Sequence, residues 1–322
     1  MPQNLEMGNN QIMLSVIVCT HNRAELLQET LNSIFNQNTN FLMEVIVSDD
    51  CSTDNTVEML KLMEKDHPML HINVTPENYG PGGNWASAMK LVKGKYVAFL
   101  DDDDFWTEES RMQTMVDYLE SNPTVDVVYT DGFTFKENGE KKYPMIWPRE
   151  DFPKFQKMWR GEQPCISLDM IVAKTSVMNN SICYDDYIKL RFPAQDWSTN
   201  LLLLYHNARF SFLDQPSVAI RESHGSMSRS IDYNKIEHYF LQETRMNCYL
   251  DQLITGDSSI SYDVDKQRLY HALINAAYKN SDWRRAKEYS KKSGEHTLRN
   301  YFSHTWLTFH FFRLVKKIKE HC

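Results

Sequence analysis

Short apolar segments alternate with amphipathic helical segments along the first hundred residues, and this alternation constrains the fold more than any other feature. The apolar, largely β-branched runs that are typical of buried strands lie at 14–19, 44–48, 71–74 and 96–100. Between the first two runs, Leu27, Leu31 and Ile34 recur at helical spacing. Strand–helix alternation of this kind predicts an α/β fold with a mostly parallel central sheet flanked by helices.

Polar residues cluster at the points where three of these strands end. The clusters lie at 20–23, 49–50 and 101–104. In open parallel sheets, ligands bind outside the carboxyl ends of the strands. We therefore expect the three clusters to meet in one site.

Four consecutive aspartates, Asp101 to Asp104, follow the apolar strand at 96–100. Adjacent like charges repel one another, and burial would raise their pKa values unless a cation is present. If the alternation of side chains along the strand continues, Asp101 and Asp103 share one side. Carboxylate oxygens suit Mg²⁺ or Mn²⁺, so the run predicts a divalent metal site, with a solvated acidic turn as the alternative.

The chain lacks the glycine-rich loops that usually bind phosphate. No Gly-x-x-x-x-Gly-Lys-Ser/Thr sequence occurs, and no Gly-x-Gly-x-x-Gly follows the first strand. The glycines at 80–83 belong to a turn-rich loop at 78–84, which precedes a helix predicted at 85–92. A divalent ion that few protein groups hold normally shares its ligands with substrate phosphates, so the metal is expected to bind the phosphate.

Charge and cysteine usage exclude several other classes of protein. The chain has 35 Lys and Arg against 43 Asp and Glu, for a net charge of −8, which is not the charge of a nucleic-acid binder. Its six cysteines lack the spacing of a disulfide framework or a zinc site. The N-terminus is polar, and no apolar run approaches the roughly 18 residues of a spanning helix, so we expect a cytoplasmic protein.

From residue 233 onward the apolar pattern is helical, with further helices predicted at 264–279, 282–292 and 296–319. The last of these mixes aromatic residues with Arg313, Lys316 and Lys317. Two interpretations stay open for it. It either packs on the protein as a terminal helix or lies peripherally at the inner face of the membrane, attracted by anionic lipid.

Three segments in this order resemble the family 2 glycosyltransferases: 15–23, 47–54 and 94–106. The close resemblance covers 12–132, and a weaker one extends to 228 through 195–197 and 220–228. It implies the GT-A fold, with a nucleotide-binding half at 12–132, an acceptor-side half at 133–228 and a helical C-terminal extension at 229–322.

The resemblance also implies roles for particular residues. Asp196 would be the general base, and Asp103 the principal metal ligand, with Asp101 and His224 beside it. The nucleotide sugar would be bound by Thr20, Asn22, Arg23, Asp49, Asn78, Gly80, Asn84, Asp101, Asp102 and Arg221.

The sequence departs from the family pattern at two places, and each implied role has a plainer alternative. Trp85 and Ala86 stand where the family often has Arg and Asn, and Gln195 replaces a Glu. Asn22 and Asp196 are also residues that cap helix N-termini, and Arg221 could be a solvated loop residue.

The resemblance implies that the protein moves a sugar from a nucleotide-diphosphate donor, of the UDP type, to a hydroxyl of a glycan or lipid-linked acceptor. The reaction would depend on Mn²⁺ or Mg²⁺, invert the anomeric centre and serve bacterial surface polysaccharide synthesis. A nucleotidyltransferase is one alternative, although the sequence at 20–23 is not the glycine-rich basic loop expected of it. A catalytically inactive sugar-nucleotide binding or scaffold protein is the other.

Overall fold

The computed structural model describes residues 11–135, 143–145, 147, 153–160, 162–221 and 230–293. The strands are β1 (Leu14–Thr20), β2 (Met43–Asp49), β3 (Leu70–Val74), β4 (Tyr96–Asp101), β5 (Phe105–Trp106), β6 (Val127–Tyr129), β7 (Gly132–Phe135), β8 (Tyr143–Met145), β9 (Ile171–Lys174), β10 (Phe210–Phe212) and β11 (Val218–Arg221). The helices are α1 (Ala24–Phe35), α2 (Thr56–Asp66), α3 (Gly80–Met89), α4 (Arg111–Ser121), α5 (Phe155–Trp159), α6 (Thr175–Ser181), α7 (Tyr184–Leu190), α8 (Asp196–Tyr205), α9 (Tyr233–Thr255), α10 (Lys266–Lys279) and α11 (Trp283–Lys292).

The main sheet has the strand order β10-β6-β9-β4-β1-β2-β3. Within the described residues, β9 alone runs against the other six strands, because it pairs antiparallel with both β4 and β6. The predicted α/β fold with a mostly parallel central sheet is therefore confirmed. Side chains of β1 and β2 are almost all buried, as expected for strands covered on both faces.

The register brings the predicted polar clusters to one edge of this sheet. Thr20 pairs with Asp49, and Cys19 pairs with Asp101, so β1, β2 and β4 end side by side. The reversed strand β9 begins at the same edge. A short 3-10 turn, Leu168–Met170, leads into it and carries Asp169 to the ends of the parallel strands.

A second sheet has the order β5-β11-β7-β8. Its strand β11 pairs antiparallel with β5, which follows the aspartate run directly, and parallel with β7. This pairing brings Arg221, the last residue of β11, close to the aspartates.

The third helix begins earlier than predicted. The segment 80–84 is not a loop, because α3 starts at Gly80 and has Pro81 in its first turn, where proline is favoured. A Cβ at Gly82 would lie 2.7 Å from the carbonyl oxygen of Phe192, so glycine permits this close approach.

The described residues form two compact units. The first comprises 11–221 together with Arg245–Ile260, and the second comprises 230–244 together with 261–293. The second unit is helical and has its own small core of Ile236, Leu273 and Ala276. Helices predicted at 264–279 and 282–292 are confirmed as α10 and α11, and no helix of the described residues is long and apolar enough to cross a membrane.

Two predictions fall outside the described residues: the metal-ligand role of His224 and the helix at 296–319. The domain boundary at 228/229 stays a prediction.

Candidate active site

The aspartate run forms a turn rather than a continuation of β4. The strand ends at Asp101, and the backbone N–H of Asp104 donates to the carbonyl of Asp101 at 3.1 Å. The hydroxyl of Thr30 donates to the carbonyl of Asp104 at 2.7 Å and fixes the turn from α1. The strand alternation from which Asp101 and Asp103 were expected to share one side therefore ends at Asp101, since the backbone turns after it.

Three carboxylates converge at the start of this turn. Oxygen atoms of Asp101, Asp104 and Asp169 all lie within 4.8 Å of one another. The backbone N–H of Asp101 also donates to Oδ1 of Asp169 at 2.8 Å. Asp101 is exposed, whereas Asp104 and Asp169 are buried, so the cluster opens to solvent on one side.

The electrostatics of this cluster are unfavourable without a cation. Although Asp101 keeps an exposed surface, the loss of water around its carboxyl group, followed by the charges of Asp104 and Asp196, raises its pKa well above the ordinary value. Burial and the charge of Asp101 do the same to the pKa of Asp169, and burial raises the pKa of Asp104. Close carboxylates that all resist ionisation are the arrangement that a divalent ion stabilises.

Asp102 and Asp103 instead both form ion pairs with Arg23. Its Nη1 atom lies 2.9 Å from Oδ1 of Asp102 and 2.8 Å from Oδ2 of Asp103. Thr20 donates to the other oxygen of Asp102 at 2.8 Å. Burial raises the pKa of Asp102 to about 6, although Arg23 and Thr20 lower it.

Arg221 is built into the aspartate turn. Its backbone N–H donates to Oδ1 of Asp104 at 2.7 Å, and its Nε donates to the carbonyl of Asp103 at 2.9 Å. The guanidinium also pairs with Glu29 and stacks 4.8 Å from the ring centre of Phe135. The side chain is 9% exposed, so the alternative of a solvated loop residue is wrong.

The two aspartates after β2 have different surroundings. Asp49 is fully buried and accepts from the N–H of Ser52 at 2.8 Å through Oδ1, while its Oδ2 has no donor among the described residues. Asp50 accepts from the N–H groups of Tyr79 and Gly80 at 2.7 and 2.8 Å. Asp50 thus holds the loop before α3, and Asp49 keeps one oxygen free for another donor.

Asn22 joins the loops that follow β1 and β2. Its Oδ1 accepts from the N–H of Thr53 at 2.7 Å, and its own N–H donates to Oγ of Ser52 at 2.8 Å. The residue has a φ of 55°, which asparagine tolerates better than most residues. It does not cap α1, whose N-cap residue is Arg23.

The remaining residues that were predicted to bind the nucleotide sugar lie on α3 or directly before it. Asn78 donates to the carbonyl of Asp50 at 3.2 Å, and Gly80 adopts a φ of +75°. The side-chain amide of Asn84 is buried and donates to the carbonyl of Ser48 at 2.8 Å, within the packing of α3 on β2.

Trp85, which stands at the position of the family's Arg, is also a core residue. It is 1% exposed, and its ring packs 5.4 Å from that of Tyr187 and 6.0 Å from that of Phe99.

Asp196 is the first residue of α8 and lies close enough to the cluster for its charge to raise the pKa values of Asp101 and Asp169. Its Oδ1 accepts from the N–H of Leu168 at 3.2 Å, so it does not cap its own helix. Burial raises its pKa to about 6, and the hydrogen bond from Leu168 opposes this shift. A carboxylate with this pKa is suited to accept a proton near neutral pH.

The sequence did not point to Asp169 or to Arg111. The side chain of Arg111 is fully buried and donates to the carbonyl of Asp169 at 3.2 Å and to the hydroxyls of Thr130 and Ser217 at 2.9 and 2.6 Å. Burial lowers its pKa to about 9, and the charge of Asp169 acts in the opposite direction. Arg111 therefore supports the turn that carries Asp169.

The chain is similar in sequence to other proteins over part of its length. Over 172 residues the chain is 27% identical to an uncharacterized protein of Mycobacterium tuberculosis, a match that covers 53% of this chain and 46% of that protein. Over 93 residues it is 43% identical to the GalNAc(5)-diNAcBac-PP-undecaprenol beta-1,3-glucosyltransferase of Campylobacter jejuni, covering 28% of this chain and 29% of that protein. The matched stretches span less than half the length of either relative.

Solved structures share the fold at lower identity. TarS 1–349 of S. aureus, in complex with UDP-GlcNAc, aligns with a TM-score of 0.50 at 17% identity and covers 88% of this chain and 93% of that chain. The mannosyltransferase PcManGT of Pyrobaculum calidifontis, in complex with GDP-Man and Mn²⁺, aligns with a TM-score of 0.50 at 18% identity. The alignment covers 96% of this chain and 87% of that chain.

The sheet and the acidic turn at its edge thus have the GT-A fold that these solved structures share. The family model described as Glycosyl transferase family 2 matches residues 15–180, slightly more than half of the chain. The chain belongs to this family.

Proposed function

We propose that the protein transfers a sugar from a nucleotide-diphosphate donor to a hydroxyl of a glycan or lipid-linked acceptor. One observation carries the proposal: a three-carboxylate cluster at the sheet edge lies beside a fourth, partly buried carboxylate, that of Asp196. The cluster has the donor set of a divalent-ion site, and Asp196 has the burial and pKa of a base. A base can activate the attacking hydroxyl, and a divalent ion can offset the charge that develops on the leaving diphosphate.

The nucleotide is proposed to be of the UDP type. A uracil ring offers an N–H donor at its pairing edge, and the unpartnered Oδ2 of Asp49 is a buried acceptor at the end of β2. A buried acceptor without a partner is unfavourable, so a donor from the ligand would stabilise it. The UDP-GlcNAc complex of TarS, a protein of the same fold, supports this choice.

The carboxylates fit a Mn²⁺ or Mg²⁺ ion. The cluster of Asp101, Asp104 and Asp169 offers hard oxygen ligands that lie close together and that solvent can reach. Asp103 belongs to the same turn as Asp101 and Asp104. We propose that Asp103 and Asp101 hold the ion together with members of this cluster. When bound, such an ion offsets the charge that develops on the leaving diphosphate.

Asp196 is proposed to accept the proton of the acceptor hydroxyl as that oxygen attacks the anomeric carbon. The bond to the nucleoside diphosphate then breaks in the same step, and the anomeric centre inverts. Leu168 orients Asp196 through its N–H, so one oxygen is held and the other remains for the acceptor.

The acceptor class rests on the comparisons. The Campylobacter jejuni relative is named for transfer to an undecaprenol-linked glycan. We propose a related role for this protein, in the synthesis of bacterial surface polysaccharide.

The test is to incubate the protein with MnCl₂ and a panel of sugar nucleotides, with and without oligosaccharide acceptors. Release of a nucleoside diphosphate supports the proposal, and Asp196→Asn serves as the matched inactive variant. Release of pyrophosphate from a nucleoside triphosphate and a sugar phosphate would indicate a nucleotidyltransferase instead. Nucleotide binding without any release across the panel would indicate an inactive binder. A product with retained anomeric configuration would contradict the single displacement.

A further inference from the structure

Arg23 supplies the positive charge at two of the four consecutive aspartates. Its Nη1 atom contacts a carboxylate oxygen of Asp102 at 2.9 Å and one of Asp103 at 2.8 Å. The side chains of Asp102 and Asp103 are 9% and 13% exposed, so water screens these contacts weakly. Arg23 thus occupies the place beside Asp103 where the proposed function requires a divalent ion.

We propose that Arg23 holds Asp103 while no donor is bound and transfers to the donor diphosphate when the donor arrives, which frees Asp103 for the metal. The proposal rests on the proposed function, because it assumes a metal at Asp103 and a diphosphate donor. It makes Arg23 a donor-binding residue that couples the binding of nucleotide to the binding of metal.

The electrostatic reason is competition for one carboxylate. A guanidinium and a divalent cation on the same carboxylate oxygens would lie within a few ångströms and repel each other. The diphosphate offers Arg23 a replacement of higher negative charge, and its oxygens match the planar fork of a guanidinium. Exchange of Asp103 for diphosphate therefore keeps the guanidinium paired and leaves the Asp103 carboxylate to the metal.

The geometry allows this exchange without unfolding. The side chain of Arg23 is 31% exposed, considerably more than the side chains of its two partners. Its backbone is anchored, because its carbonyl accepts from the N–H of Leu27 at 3.1 Å in the first turn of α1. Rotation about side-chain bonds is therefore sufficient to move the guanidinium.

The proposal predicts opposite changes in two affinities when Arg23 is removed. In Arg23→Gln, Mn²⁺ alone should bind more tightly, because the competing cation is gone. UDP alone should bind more weakly, because the diphosphate loses its guanidinium. A purely structural role would weaken both, since the aspartate turn would lose its order.

The experiment is titration calorimetry of the full chain with MnCl₂ alone, UDP alone and each in the presence of the other. Coupling energies between two ligands usually correspond to about 5- to 150-fold changes in affinity. We expect Arg23→Gln to tighten Mn²⁺ binding without UDP within that range and to reduce the coupling between Mn²⁺ and UDP. Arg23→Lys, which keeps the charge but loses the fork, should bind Mn²⁺ nearly as weakly as the wild type.

Arg209→Gln is the matched control, because Arg209 pairs with Asp126 at 3.7 Å at the opposite edge of the sheet. It should leave both affinities unchanged. Weaker or unchanged Mn²⁺ binding in Arg23→Gln would overturn the proposal while leaving the proposed function intact. A wild-type protein that binds neither Mn²⁺ nor UDP, alone or together, would overturn both. If Arg23→Gln does not fold, nearly wild-type UDP affinity in a folded Arg23→Lys would overturn the exchange.

Discussion

The backbone N–H of Asp101 donates a 2.8 Å hydrogen bond to Oδ1 of Asp169, across 68 residues of sequence. One partner ends a parallel strand, and the other precedes the one strand of the described sheet that runs in the opposite direction. This bond fixes the position of the Asp169 carboxylate beside those of Asp101 and Asp104, and it makes the acidic cluster a joint product of two distant segments.

Asp103→Asn should abolish transfer. The amide keeps the size of the side chain but loses the charge that a divalent ion requires. Without the metal, the transition state loses several kcal/mol of stabilisation, which lowers the rate by about 10²-fold or more. Donor turnover with added MnCl₂ measures the effect, and excess chelator should reproduce it in the wild-type protein. Full activity in chelator would contradict metal dependence.

Asp196→Asn should lower turnover by about 10²–10⁴-fold, the usual contribution of a general base, while UDP binding stays near that of the wild type. The exposed Asp185, changed to Asn, is a control on the neighbouring helix α7 and should be fully active. Turnover of Asp196→Asn within a few fold of the wild type would remove Asp196 from the mechanism.

The pH dependence of activity should also reflect Asp196. Burial raises its pKa from the ordinary 3.8 to about 6, and only the deprotonated form accepts a proton. We therefore expect kcat/KM to rise with pH through about pH 6 and then to level off. Initial rates at fixed, saturating MnCl₂ measure the profile. A rate that is constant from pH 5 to 8 would show that Asp196 does not act as the base.

The metal-free protein should lose stability as pH rises. The pKa values of Asp102 and Asp196 are raised from 3.8 to about 6, so between these values the folded state binds more protons than the unfolded chain. Stability is then highest near pH 4 and decreases toward pH 7, and each carboxyl costs about 1.4 kcal/mol for every pH unit that separates its unfolded and folded pKa values. Melting temperatures in chelator should show this decrease, and MnCl₂ should restore stability most strongly at neutral pH.

Asp126, in the same compact unit, is a control because its pKa is shifted in the opposite direction. The N–H of Arg209 and the ammonium of Lys174 lower the pKa of Asp126 more than burial raises it. Asp126→Asn should therefore reduce stability at neutral pH and make the decline between pH 4 and 7 steeper. Asp169→Asn should make the decline shallower, because a buried ionisable group is removed. Identical dependences of stability on pH for Asp126→Asn and Asp169→Asn would contradict the opposite pKa shifts of these two aspartates.

Arg111→Ala should destabilise the fold by about 3–5 kcal/mol, as expected when one member of a buried charged network is removed. The carbonyl of Asp169 and the hydroxyls of Thr130 and Ser217 would lose their donor. Urea unfolding measures the loss, and Arg209→Ala, which removes a side chain that is 64% exposed, should cost only about 0–1 kcal/mol. Equal losses of unfolding free energy in the two variants would show that the buried hydrogen-bond network of Arg111 adds nothing to stability.

The fold and half of the site were predictable because both depend on local sequence. The apolar runs determine β1, β2 and β4, and parallel pairing then brings Asp49 and Asp101 to one edge. Asp169 was not predictable, because its position depends on the antiparallel insertion of β9 between β4 and β6. Arg111 was not predictable either, since an arginine at a helix start usually faces solvent.

Arg23 shows a further limit of inference from sequence. The resemblance to family 2 glycosyltransferases predicted contact with the nucleotide sugar, but nothing local indicated that Arg23 would pair with Asp102 and Asp103. Such a pairing depends on which carboxylates of the turn point toward the loop after β1.

The tether of Arg221 to Asp103 and Asp104 has a consequence for recombining this chain with its relatives. A chimaera that replaced the segment from 133 to 221 would also exchange Asp169 and Arg221. The aspartate turn would then receive foreign side chains as its partners. Useful crossovers should therefore keep Asp169, Arg221 and Glu29 from one parent, so that the rest of the segment varies while the carboxylates keep their inherited partners.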